Sequence, residues 1–209
     1  MPWYLPIVHP SAIVRGQWHE EPAQVSYLKR LVSFHHGWRP LDVEKPPADC
    51  IVRPSIAMLV LFDQYIQEGQ WDCLSIDIEN AGDYIILVGL TLMDLEAGLV
   101  GPSLSLPFKG RFGERYWSRP DHDRAVEMFG DWLADPRLAK VWQNGISHDV
   151  PMLEATGFEV NGEQWDTMVM SHYCYPEMRK GLQYNATLHL GMGNWKTMLD
   201  EDDEDEGKA

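Results

Sequence analysis

The sequence predicts an α/β domain, bordering on α+β, with a mixed β-sheet flanked by helices. Three observations point to it. Cys73 to Glu79 alternates with a period of two and is followed, after a turn, by the strongly apolar run Tyr84 to Met93, the pattern of a hairpin. Segments with apolar residues at helical spacing stand before the hairpin, at Ser55 to Glu68, and after it, at Arg119 to Asp135. From Leu138 onward short strand and helix patterns alternate, and a hairpin leading into such alternation makes a sheet of mixed direction.

Taken in order, Ile7 and Val8 form an extended piece, His9-Pro10-Ser11 a turn, and Glu20 to Phe34 a helix with Val25, Leu28, Leu31 and Val32 at helical spacing. Arg39 to Pro54, with four prolines, has the composition of a linker. The next helix uses Ile56, Leu59, Val60 and Tyr65, and Gly69 is its natural stop. Between the hairpin strands the turn Asn80-Ala81-Gly82-Asp83 exceeds a two-residue loop, which leaves the register open. A third strand is expected from Gly98 to Leu106, interrupted by Pro102.

The helix from Arg119 should place Val126, Phe129 and Leu133 on one side, with Asp121 after Pro120 as its cap. Leu138 to Gln143 is then a strand, Asp149 to Ala155 a helix ended by Gly157, and Phe158 to Val160 another strand. Asp166 or Thr167 caps a helix reaching Tyr173, and Leu182 to Leu190 is helical. The expected divisions are 1–38, a linker at 39–54, a main domain at 55–199 and a tail at 200–209. The tail should be disordered, because its like charges repel and it has no apolar face to bury.

Composition narrows the function classes. With 44% apolar and 11% aromatic residues, nine of them Trp, the 209-residue chain has the material for a real core. No stretch has the length of a membrane span, and no basic-then-apolar leader opens the chain, so a cytoplasmic protein without a membrane partner is expected. Three widely spaced cysteines, Cys50, Cys73 and Cys174, without a CxxC pair, point to reduced thiols and away from a cysteine zinc site, with Cys73 buried in its strand.

The net charge of −15 owes seven units to the acids from Asp200 through Glu206, and the rest still carries about −8. That is opposite to the usual footprint of a nucleic-acid-binding module. An enzyme that grips a few phosphates through metal ions needs no broad basic face. Lys109, Arg111, Arg115, Arg119, Arg179 and Lys180 remain for local contacts.

Residues two apart on a strand point the same way, roughly 6–7 Å apart. Asp77 and Glu79 therefore share one face, and Ile76 and Ile78 the other. Two carboxylates this close repel, which favours proton uptake or a bound cation; a solvated strand end is the structural alternative. A second element, Val141-Trp142-Gln143-Asn144-Gly145-Ile146-Ser147-His148-Asp149, runs from a strand end to a helix start. There Asp149 can cap free amides and reach across the sheet's end, or simply cap while Asn144 satisfies a turn.

Asp77-Ile78-Glu79, Asn144 through Leu153, Trp165-Asp166-Thr167-Met168, and Lys180-Gly181-Leu182 before Trp195-Lys196 occur in an order that resembles the proofreading-exonuclease domain of family A DNA polymerases, especially phage-type members. The resemblance covers residues 71–196 and implies a DnaQ-like, ribonuclease H-like fold of the DEDD class, a 3′-5′ exonuclease of DNA. It implies that Asp77, Glu79 and Asp149 hold two Mg²⁺ or Mn²⁺ ions, with Asp77 bridging, and that Asn144 shapes the substrate site. Oxygen ligands suit such hard cations.

Asp166 is not one of the defining acids and fits a helix cap or a support behind the ligands. The implied setting is replication or repair in a phage-infected bacterial cell, with single-stranded DNA or a DNA 3′ end as substrate and a polymerase or complementary subunit as partner. His148, beside Asp149, is a candidate for touching phosphate or water, or for a bond at the helix start. Trp142 and Trp165 read as core residues, whereas Phe112 to Trp117 interleaves aromatics with basic residues and could stack on single-stranded DNA.

Two departures qualify the resemblance. The family's last motif, Tyr-x-x-x-Asp or His-x-x-x-Asp, has no counterpart: Tyr175 is followed four later by Arg179, Tyr184 by Leu188 and His189 by Gly193. The last helix of the fold is therefore expected to be missing, and a weak site or a noncatalytic scaffold binding a polymerase, repair partner or DNA is the alternative reading. Separately, His9-Pro10-Ser11-Ala12-Ile13-Val14-Arg15-Gly16 and the helix after it resemble the C-terminal end of microbial uracil-DNA glycosylases. The earlier motifs of that family are absent, so residues 1–38 are expected to be a remnant without a base-flipping pocket.

Overall fold

The protein is described by a computed structural model, which defines residues 50–110 and 113–190. The His-Pro-Ser turn, the Glu20 to Phe34 helix, Phe112, the Trp195-Lys196 pair and the acidic tail lie outside the described residues. In chain order the elements are β1 (Cys50–Ile51), α1 (Ile56–Gln67), β2 (Cys73–Ala81), β3 (Tyr84–Asp94), β4 (Leu99–Pro107), α2 (Arg119–Ala134) and β5 (Ala139–Trp142). A 3-10 turn (Gly145–Ser147), α3 (Asp149–Ala155), β6 (Gln164–Asp166), α4 (Thr167–Cys174) and α5 (Leu182–Leu190) follow.

The expected mixed sheet with flanking helices is present, and its six strands run in the order β1-β4-β3-β2-β5-β6. The β2-β3-β4 meander is antiparallel, whereas β5 and β6 extend from β2 in parallel. Even-numbered residues of β2, Leu74, Ile76 and Ile78, join Val88, Leu90 and Leu92 of β3 and Leu104 and Leu106 of β4 in one apolar layer. Against it lie Leu59, Phe62 and Ile66 of α1 and Ala125, Met128, Phe129, Trp132 and Leu133 of α2. Phe62 and Trp132 meet at 5.3 Å between ring centroids, and the Trp132 indole donates to Asp63 Oδ1 at 2.9 Å. Asp77 and Glu79 are thereby turned to the sheet's other face, as the period of two requires.

Several expectations need correction. Ala81 pairs with Tyr84, so only Gly82 and Asp83 form the hairpin loop. Gly82, at φ +61°, supplies the backbone conformation a two-residue loop demands, and a bulge at Glu79/Asn80 absorbs the register. Pro102 lies inside β4 and does not break it. The β3-β4 pairing slips between Thr91 and Met93, so Pro102 falls at a bulge, where its missing N–H is tolerated. Ser118, not Asp121, caps α2, accepting from the Asp121 amide at 3.4 Å.

Phe158 to Val160 is not a strand. Phe158 packs on Phe129 at 5.1 Å, and the sheet adds Gln164–Asp166 instead. Cys50–Ile51, inside the segment expected to be a linker, pair in parallel with Ser103 and Leu104. Trp117 is buried, and its indole donates to Pro107 O at 2.6 Å, so it is no stacking platform. Trp165, on the outermost strand, is 37% exposed and does not join the core as Trp142 does.

Residues 168–190 belong to a second compact unit, apart from that of Pro47–Thr167. Within it Met178 and Leu188 are buried with Tyr184 against them, and Ser171 Oγ bonds Asn185 Oδ1 at 3.2 Å. The Leu182–Leu190 helix has the bounds its sequence predicts. Among the described residues no helix is long and apolar enough to cross a membrane.

Candidate active site

Strands β2, β5 and β6 run parallel, so their carboxyl ends open on the same side, the edge where α/β sheets place their ligands. β5 accompanies β2 only to the Ser75–Val141 pair. Farther along, β2 has no strand on that side, and the Ile78 amide needs another acceptor. Asp149 Oδ1 takes the bond at 3.3 Å. The carboxylate at the start of α3 is thus fastened to the backbone between Asp77 and Glu79.

The loop that delivers Asp149 is held from β6. Asn144 sits at φ 63°, ψ 14°, the only non-glycine with positive φ among the described residues. Buried Asp166 accepts from the amides of Asn144 at 3.0 Å and Ile146 at 3.2 Å. It therefore supports the loop from the end of β6. Thr167 Oγ1 donates to Trp142 O at 3.0 Å and also meets Gln143 Oε1.

Gly145 was not singled out from sequence, although the Asn-Gly pair after a strand was the available signal. A Cβ there would come within 2.7 Å of Trp142 Cβ and 2.9 Å of Asp149 Oδ2, so only glycine lets the loop pass between them. The Ile78 amide was likewise invisible, because no side chain marks it.

Of the five residues the sequence singled out, Asp77 and Glu79 are exposed and Asp149 is buried. Asn144 and His148 are exposed on the connecting loop, and the His148 side chain makes no capping bond to α3. Partial desolvation is the largest influence lifting the Asp77 carboxyl above its ordinary range, and the charges of Asp149 and Glu79 add to it. Asp149 is lifted too, again chiefly by desolvation, although the Ile78 N–H and nearby His148 oppose the shift.

The donor chemistry fits a hard divalent cation. The three acids offer only oxygens, and a positive ion would relieve the mutual repulsion that adds to the effect of desolvation on Asp77. Among the described residues, however, no three His, Cys, Asp or Glu side chains are grouped closely enough to hold an ion as they stand. The acids form an open set that would have to close on a cation.

No description of a known protein family matches the chain, and no curated protein matches it. Among solved structures it is similar to Escherichia coli RNase D, described as an exoribonuclease involved in structured RNA processing, at 17% identity and a TM-score of 0.45 over 68% of this chain and 33% of that one. It is also similar to Brucella melitensis NrnC bound to pGG, at 18% identity and a TM-score of 0.42 over 59% of this chain and 55% of that one. The EXD2 exonuclease domain soaked in Mg is similar at 17% identity and a TM-score of 0.39, over 77% of this chain and 84% of that one. The matched part thus spans about a third of RNase D and just over half of NrnC.

Proposed function

We propose that the chain is a divalent-metal-dependent 3′-5′ exonuclease that hydrolyses phosphodiester bonds at DNA 3′ ends. Asp77, Glu79 and Asp149 are its metal-holding carboxylates, and Asn144 and His148 lie beside the substrate. The observation that supports this best is the bond from the Ile78 amide to Asp149 Oδ1, which brings the acid of one motif between the two acids of the other. Mg²⁺ or Mn²⁺ bound there would activate a water for attack and neutralise charge on the phosphate.

The chain's own contribution is placement. β2 fixes the Asp77–Glu79 spacing, and α3 presents Asp149 with one carboxylate oxygen tied to backbone. Asp166 holds the loop so that the exposed Asn144 side-chain carboxamide and His148 imidazole are available to hydrogen-bond a phosphate or sugar oxygen.

The second reading, a noncatalytic scaffold that binds a polymerase, a repair partner or DNA, is favoured by one observation: the acids are not grouped to hold an ion among the described residues. A complementary subunit supplying a fourth acid is its catalytic counterpart. The deciding assay uses 5′-labelled single-stranded DNA, and a matched RNA strand, with Mn²⁺. Stepwise shortening from the 3′ end that disappears in Asp77→Ala supports the exonuclease, and relative rates on the two strands assign the sugar preference. Activity that survives Asp77→Ala overturns the mechanism, and an inert protein that still binds the strand favours the scaffold.

A further inference from the structure

A cavity of about 540 Å³ opens beside α2, away from the carboxylates. Phe108, Val126 and Phe158 form its apolar side and belong to, or pack on, the core layer that receives Ile76 and Ile78. Asp77 and Glu79 project to the sheet's opposite face, so the cavity is a separate place. Its volume is in the range of sites for small organic ligands.

Its polar side is unusual for a chain of net charge −15. Lys109, Arg115 and Arg119 all line it, and among the described residues none of the three is ion-paired. An isolated antiparallel bridge between Lys109 and Arg115 holds two of these cations side by side, and Arg119 is the first residue of α2. Asp83 and Asp123 also line the cavity without pairing with the cations.

His122 also lines the cavity. Its ring packs edge-on against Phe108 at 5.9 Å, and its Nδ1 is buried without a hydrogen-bond partner. At the mouth Tyr84, 71% exposed at the hairpin tip, offers a free aromatic face.

We propose that this cavity binds a nucleoside phosphate, with the phosphate among Lys109, Arg115 and Arg119 and the base against the Tyr84 and Phe108 side. Unpaired guanidinium and ammonium groups recognise phosphate, and an aromatic surface beside them accepts a base of any identity. The phosphate belongs either to a free mononucleotide or to a strand running past the sheet; the recognising chemistry is the same. The site does not depend on the carboxylates acting as a metal centre.

The test is calorimetric titration of the full chain in EDTA, which removes any metal-bridged contribution from the carboxylates. The probes are dAMP, a single-stranded hexanucleotide and inorganic phosphate. dAMP or the hexanucleotide should bind, and Lys109→Gln with Arg119→Gln should weaken that binding at least about tenfold. Asp77→Asn should leave it unchanged. Equal binding of dAMP and hexanucleotide assigns a free nucleotide, and tighter binding of the hexanucleotide assigns a strand. Arg119 is exposed, so Arg119→Gln alone serves if the double variant does not fold. The proposal is overturned if neither nucleotide probe binds, if inorganic phosphate binds as tightly as both, or if binding is indifferent to the cation substitutions.

Discussion

Asp149 Oδ1 accepts the backbone N–H of Ile78 at 3.3 Å, filling the place a neighbouring strand would occupy had β5 continued beyond Trp142. The residues are 71 apart in sequence, and the bond links the two acidic motifs. Because it uses one carboxylate oxygen for structure, it separates the positional role of Asp149 from its charge.

That separation can be measured. Asp149→Asn keeps an acceptor for Ile78 but loses the charge, whereas Asp149→Ala loses both. Each should lower Mn²⁺-dependent nuclease activity by about 10²–10³-fold if the carboxylate holds an ion. Only the alanine variant should accelerate hydrogen exchange at the Ile78 amide, by about fivefold for the loss of a bond worth ~1 kcal/mol.

A pH dependence follows from the raised carboxyls of Asp77 and Asp149. The folded protein keeps these protons at pH values where the unfolded chain, with an ordinary value of 3.8, has begun to lose them. Their effect is therefore to lower stability as pH rises from that ordinary value through the raised ones. In metal-free buffer at neutral pH, Asp77→Asn should have a higher melting temperature than the wild type. Mn²⁺ should raise the wild-type melting temperature and do little for the variant, as differential scanning fluorimetry would show.

Gly145→Ala should be damaging although it adds one methyl group. The new carbon meets Trp142 on one side and Asp149 on the other, within 3 Å of both. Overpacking of this kind costs about 1–3 kcal/mol. Urea unfolding should register that loss, and nuclease activity should fall further than stability because Asp149 is displaced.

Asp166→Ala should loosen the same loop from the other end. It strips the amides of Asn144 and Ile146 of an acceptor, at about 1–3 kcal/mol for each bond left unmade. The expected kinetic signature is a rise in KM together with a fall in kcat.

The thiols should differ sharply in reactivity. Burial in β2 pushes the Cys73 thiol up to about 11, with the neighbouring charge of Asp72 adding to the shift, whereas Cys174 is exposed. Under native conditions at mildly alkaline pH, a chromogenic disulfide should titrate Cys174 rapidly, and Cys73 only once the protein unfolds. Fast labelling of Cys73 in the native state would contradict the β2 packing.

Local pattern was enough wherever one element's own residues settle the matter. The alternation through Cys73 to Glu79 placed Asp77 and Glu79 on one face, because side-chain direction in a strand has a period of two. The apolar spacing of the Ser55 and Arg119 segments marked helices that the structure contains, since one buried stripe per helix is a local property. The Asp77/Glu79 pair, Asn144, His148 and Asp149 were singled out as candidates from side-chain chemistry and order along the chain, which the sequence displays directly.

Pairing and packing were decided elsewhere. Whether Pro102 breaks a strand depends on the bulge opposite it, and whether Phe158 enters a sheet depends on the Phe129 ring available to it. Trp165 looks like a core residue until β6 is found at the sheet's edge. The bond between Asp149 and Ile78, the clasp of Asp166 on two amides, and the tight passage at Gly145 all use backbone atoms or empty space. Backbone groups are the same at every non-proline residue, so their partners emerge only when strand ends and loops are fixed in three dimensions.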